Sequence, residues 1–155
     1  MTNVTFLTKS KSYMYKLIIL SVLLIAFQTN SLCQTLHKDS IKTDYIEFGK
    51  GGGFSGASKN YLLTQTGDLY SLPNILTDPN ALVYLKKIKT STTKQVFNYA
   101  KKKKLTELTY NKPGNLFHYM TLSINNKKKN LVWESSDSAT PLTITTLSTK
   151  LYNLL

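Results

Sequence analysis

Residues 116–124 alternate strictly: His118, Met120, Leu122 and Ile124 fall on one face of an extended chain, and Phe117, Tyr119, Thr121 and Ser123 fall on the other. A period of two marks a strand with one covered face, as in antiparallel sheets. A second β-prone run at 130–134 (NLVWE) follows Asn125-Asn126-Lys127-Lys128-Lys129, so the two pair as a hairpin with a basic tip. A chain carrying this hairpin needs further strands beside it and something apolar to lay on its buried face.

The candidates for both are present. Tyr45-Ile46-Glu47-Phe48 reads as a strand running into Gly49-Lys50-Gly51-Gly52-Gly53-Phe54-Ser55-Gly56. Residues 59–64 form another, turned at Thr66-Gly67-Asp68 into Leu69-Tyr70-Ser71-Leu72. After a loop punctuated by Pro73 and Asp78-Pro79-Asn80, residues 81–88 (ALVYLKKI) fit a strand or a helix, and Val83, Tyr84 and the short length favour a strand. One helix, capped by Ser91 or Thr92, places Val96, Phe97, Ala100 and Leu105 at helical spacing and ends in Lys101-Lys102-Lys103-Lys104, where positive charge complements the helix dipole. A second starts with Thr140 as N-cap and Pro141 at the first helical position, with Ile144, Leu147, Leu151 and Leu154 on one side. The pattern predicts an α+β fold: an antiparallel sheet of about four to five strands with two helices packed on one face.

The N-terminal part reads differently. Residues 17–27 (LIILSVLLIAF) are almost wholly apolar, follow Lys16 and precede Gln28, Thr29, Asn30 and Ser31. That is an export signal, and the run is shorter than the roughly 20 residues that span a bilayer. Met14 offers an alternative start. Ser31-Leu32-Cys33 supplies small residues for cleavage before Gln34 and release; the alternative is lipidation of Cys33, which Leu32 disfavours because a small residue normally stands there. The predicted organisation is a signal peptide over 1–33, a flexible lead-in over 34–43 and a single domain over 44–155, periplasmic or secreted and monomeric. Cleavage removes Lys9, Lys11 and Lys16 but none of the eight acids, so the net charge of +12 falls to +9. It also removes the single cysteine, so the exported domain depends on its core rather than on disulfides. All the basic charge is lysine, with no arginine to fork onto phosphate or guanine, and the lysine runs fall at a helix end and a hairpin tip. Solvated lysines explain them, and no nucleic-acid partner is expected.

Gly51-Gly52-Gly53-Phe54-Ser55-Gly56 matches G-x-G-x-x-G after a strand, but a dinucleotide site needs a helix at the last glycine and the chain alternates there instead. A P-loop reading fails because Ala57 stands where the phosphate-binding lysine belongs, and a nucleophile elbow at Ser55 belongs to a far longer α/β sheet. The plain reading is a glycine-rich bulge or wide hairpin loop with Phe54 as a packed plug; the functional one is an exposed recognition loop. The second glycine-containing loop holds Asn111, Pro113, Gly114 and Asn115. His37 lies in the lead-in and His118 on the apolar face, without a metal-ligand spacing, and the carboxylates are scattered. A small hydrolase using Ser55 with His118 ranks lowest among the readings.

Across Ile46-Glu47-Phe48-Gly49-Lys50-Gly51-Gly52-Gly53-Phe54-Ser55-Gly56 and Tyr110-Asn111-Lys112-Pro113-Gly114-Asn115 the chain resembles a group of small exported bacterial proteins without established activity. Gly52, Gly53, Phe54 and Gly56 also resemble the opening of the emfourin-type inhibitors of thermolysin-like metalloproteases. The expectation is therefore a non-enzymatic exported domain that binds a protein or envelope component through its glycine loops, without cofactor or metal. Protease inhibition is the alternative. Membrane attachment is expected only through the signal segment or a lipid on Cys33.

Overall fold

The alternating segment is strand β7 (Leu116–Ile124), paired antiparallel with β8 (Lys127–Glu134). The turn between them is only Asn125-Asn126, both at positive φ (51° and 60°), which asparagine tolerates and a two-residue hairpin requires. The expected five-residue basic tip is thus corrected: Lys127, Lys128 and Lys129 are strand residues. A computed structural model of the chain describes residues 36–54, 58–72, 78 and 80–155. The segment read as an export signal, Cys33 and Gln34, Ser55 and Gly56, and Pro73 and Pro79 lie outside the described residues.

The other strands are β1 (Leu36–His37), β2 (Tyr45–Gly52), β3 (Lys59–Thr64), β4 (Asp68–Leu72), β5 (Ala81–Lys87) and β6 (Asn111–Lys112); the helices are α1 (Thr90–Lys102) and α2 (Leu142–Tyr152). Residues 81–87 are a strand, as the β-prone side chains suggest. The sheet has eight strands in the order β1-β5-β4-β3-β2-β7-β8-β6, antiparallel except where β6 runs parallel to β8. This corrects the expected four to five strands. The two edge strands are only two residues long, below the length at which alternation can be read from sequence. Within the stretch read as a lead-in, β1 pairs with β5, and a 3-10 turn (Lys38–Ser40) follows it.

Helix starts also differ from expectation. α1 begins at Thr90 after Lys89, and α2 begins at Leu142 after Pro141, neither with a side-chain cap. Thr140 is buried just before α2. Packing rather than capping decides these helices. Val96, Phe97 and Ala100 from α1 and Ile144, Leu147 and Leu151 from α2 meet Ile46, Phe48, Leu63, Met120, Leu122, Leu131 and Trp133 from one face of the sheet. Each large apolar side chain so buried contributes roughly 1.5–3 kcal/mol. Among the described residues, no helix is long and apolar enough to cross a membrane.

The opposite sheet face has its own anchor. The ammonium of Lys38 donates to Glu47, whose other carboxylate oxygen accepts from the Tyr119 hydroxyl at 3.1 Å. Burial, then the Glu47 charge, pushes that hydroxyl far above the ordinary phenol range.

Candidate functional site

The glycine cluster is not a loop hanging from the end of a short strand. β2 continues through Gly49, Gly51 and Gly52, because β7 offers a full partner ladder: Gly51 opposes Phe117 and Gly52 opposes Leu116. The chain leaves the sheet only at Gly53, whose N–H donates to the Asn115 carbonyl at 2.8 Å. Gly52 has φ of +97°, and a Cβ there would lie 2.0 Å from the Asn115 oxygen, so no other residue fits without opening the junction. The two sequence-predicted loops are thereby brought together at one end of the sheet. Phe54 stands fully exposed beyond the junction, so the expected plug is corrected: no pocket receives its ring. Leu116, 55% exposed, lies beside Gly53.

The second loop is held from behind. The Tyr110 hydroxyl donates to Asp137 at 2.6 Å, the Val132 N–H donates to the Tyr110 carbonyl at 3.1 Å, and Lys112 lies 5.4 Å from the Tyr110 ring centre. The Tyr110 hydroxyl, then the Ala139 N–H, holds the Asp137 carboxyl below the usual carboxylate range. Asn111, Pro113 and Asn115 are exposed. Gly114 is half-buried against Glu134, whose Cδ would be 2.3 Å from an added Cβ, so this glycine serves packing as much as presentation.

Next to the junction, on the helix-facing side of the sheet, strand register lines up Lys59, Lys50, His118 and Trp133 across β3, β2, β7 and β8. Lys50, Lys59, Leu116, Phe117, His118 and Ser135 line a cleft of about 400 Å³ floored by Gly51 and Gly52. The His118 ring stacks on Trp133 (5.6 Å, 13°) and meets the Tyr152 ring edge-on (5.7 Å, 83°). His118 Nδ1 and the Tyr152 hydroxyl oxygen are buried without a hydrogen-bond partner among the described residues. Burial, then the Lys50 charge, lowers the His118 pKa, so the ring resists protonation; burial pushes the Tyr152 hydroxyl up to about 12. A second cleft of about 340 Å³ shares His118 and Ser135 and continues along α2 past Thr145, Ser148, Thr149 and Asn153.

His118 is the partly buried histidine that its position on the apolar face implies. His37 sits on β1, separated from β7 by four intervening strands in the sheet order, with Nδ1 3.6 Å from Asp78, so the two histidines do not share a site. No group of three or more His, Cys, Asp or Glu side chains suited to a metal ion occurs among the described residues. Ser55, paired with His118 in the hydrolase reading, lies outside them. Lys50, Lys59, Leu116, Phe117 and Ser135 are the lining residues that sequence reasoning missed. Lys50 carries one signal, since it continues the Ile46, Phe48 alternation with a charge. Lys59 and Ser135 join only through register.

The arrangement offers two ammonium donors, an imidazole, hydroxyls and an apolar rim, a set suited to holding a polar ligand or partner group. A scan against protein-family models finds no match to the chain. A search of curated protein sequences finds no significant match either.

Proposed function

We propose that this chain is a non-enzymatic recognition domain acting outside the cytoplasm, binding a protein or envelope component at the sheet end where the two glycine loops meet. The observation that carries this reading is the Gly53 N–H to Asn115 carbonyl bond, which ties the loops together while Phe54 and Leu116 stay out of the core. A large exposed aromatic just beyond the end of a strand ladder is a costly arrangement for a free surface and a useful one for an interface, where aromatic anchors dominate binding. Export rests on Lys16 and the apolar run at 17–27, with processing at Cys33 and Gln34.

The test replaces Phe54 by alanine, alone and with Leu116→Ala, in the exported protein and recovers cross-linked partners from the envelope. Loss of the cross-linked species with an unchanged urea midpoint is expected; recovery equal to wild type removes the surface from the reading. The exposed Phe54, following half-buried Gly52 and Gly53, also favours a second reading, inhibition of a thermolysin-like metalloprotease of the kind emfourins block. Titration against such a protease decides it: stoichiometric inhibition supports it, and full activity at micromolar excess eliminates it.

A further inference from the structure

Lys50 stands directly opposite Lys59 in the β2–β3 register and directly opposite His118 in the β2–β7 register. Like charges facing each other across a sheet are destabilising. Elsewhere in the domain Lys38, Lys87, Lys101 and Lys127 each pair with a carboxylate, while most of the described lysines do not. Among the described residues neither Lys50 nor Lys59 has such a partner, and both line the cleft. The buried polar atoms point the same way. A polar atom buried without a partner forfeits its hydrogen bond to water, and such atoms call for a water or ligand to explain them. His118 and Tyr152 each carry one, and both side chains line the second cleft, which shares His118 and Ser135 with the first.

The chemistry of the linings differs in a useful way. The first cleft is cationic with apolar walls, whereas Ser135, Thr145, Ser148, Thr149 and Tyr152 give the second a lining of alcohols. Thr145 and Thr149 give their hydroxyl hydrogens to the Leu142 and Thr145 carbonyls at 3.2 and 3.0 Å and remain acceptors, while Ser135, Ser148 and Tyr152 can donate and accept; together they match the hydroxyls of a polyhydroxylated ligand, and the two lysines match a carboxylate on it.

We propose that the two clefts form one binding site for an acidic sugar, its carboxylate held between Lys50 and Lys59 and its hydroxyls by His118, Tyr152 and the alcohol side chains of α2. This rests on the reading of the chain as a recognition domain and names the envelope component it takes. Trp133 is the only tryptophan and stacks on His118, so its fluorescence reports on the site directly.

The experiment titrates the exported domain with glucuronate, and separately with glucose and with acetate as its neutral and anionic halves. A saturable Trp133 fluorescence change with glucuronate alone is expected, together with movement of the His118 ring nitrogens in NMR while those of His37 stay fixed. Lys50→Gln and Lys59→Gln, at exposed positions, should each weaken binding by about fivefold, with circular dichroism confirming an intact fold. The proposal is overturned if acetate or glucose reproduces the glucuronate curve, if none of the three changes the signal, or if the double lysine variant binds as wild type. Failure here with Phe54-dependent cross-linking preserved removes the sugar and leaves the recognition surface. Glucuronate binding with Phe54-independent cross-linking does the reverse.

Discussion

The two halves of the β2–β7 ladder are built from the same alternation and meet opposite fates. Toward the helix-covered half, Ile46 opposes Leu122 and Phe48 opposes Met120, all essentially inaccessible to solvent. Two residues further on the same face, Lys50 opposes His118, and then Gly52 opposes Leu116. Nothing in the backbone changes between Phe48 and Lys50. What changes is the cover: Tyr152, in the last turn of α2, is the aromatic ring that touches both sides, 5.5 Å edge-on to Phe48 and 5.7 Å edge-on to His118. The boundary between core and candidate site therefore runs along one side of α2, whose Ile144, Leu147 and Leu151 cover the core while Thr145, Ser148 and Thr149 line the second cleft, with the strands continuing beneath it. A ladder can be half foundation and half cleft wall without any break in pairing.

That contrast makes sharp predictions. The largest effect belongs to the covered half: Phe48→Ala should cost about 3–5 kcal/mol in urea unfolding followed by Trp133 fluorescence. Lys50→Ala, two residues away, should stay within about 0.5 kcal/mol; comparable losses would erase the distinction. Gly52→Ala comes next. It combines a left-handed backbone, worth roughly 1–2 kcal/mol, with a Cβ driven into the Asn115 oxygen, and a loss of about 2 kcal/mol or more is expected. Gly51→Ala meets Phe117 at 3.2 Å, with φ outside the left-handed region, and should lose less.

A smaller effect concerns pH. Burial and then Lys50 hold the folded His118 pKa below its ordinary 6.5, so in the intervening range the unfolded chain binds more protons than the folded one. His118 thus contributes stability that is fully present above about pH 6.5 and declines as pH falls toward the folded value. Urea midpoints measured between about pH 7.5 and about pH 5 should fall with acidity, and His118→Gln should flatten that part of the slope. The smallest change is expected from Lys59→Gln, which relieves the repulsion with Lys50 and should raise stability by a few tenths of a kcal/mol. A clear loss instead would mean that Lys59 supports the fold.

Much of the covered half is legible in the sequence. The alternation at 116–124 locates β7, and the helical spacing of Ile144, Leu147 and Leu151 identifies the apolar side of α2, because burial on one face leaves a periodic trace. The open half leaves a weaker trace. The glycines hide the extension of β2, since residues without side chains carry no alternation, and the pairing becomes evident only once Leu116 and Phe117 supply partners. β1 and β6 are too short for any period, which is why the sheet is wider than the pattern predicts. At the candidate site, both glycine loops stand out by composition, but their union rests on one backbone bond between Gly53 and Asn115, which involves no side chain to read. The pairing of Lys50 with Lys59 depends on register across a turn that contains the glycine cluster itself.

The short edge strands carry a consequence for how molecules of this kind share a solution. An incoming chain seeking to extend the sheet would find two residues of ladder at β1 and two at β6, and beside them the stretches of β5 and β8 that these short strands leave uncovered, the one on β8 carrying Lys127, Lys128 and Lys129. The uncovered stretch of β5 exposes Val83, Tyr84 and Leu85 and ends in Lys86 and in Lys87, whose charge Asp68 offsets at 2.8 Å, so Lys86 is the charge that opposes a second copy laid alongside. Sheet-to-sheet templating, the usual hazard of an antiparallel domain with apolar strands, is thus blunted at both borders. The fold can leave a large aromatic bare at the glycine end and still resist growing into fibres from its sides.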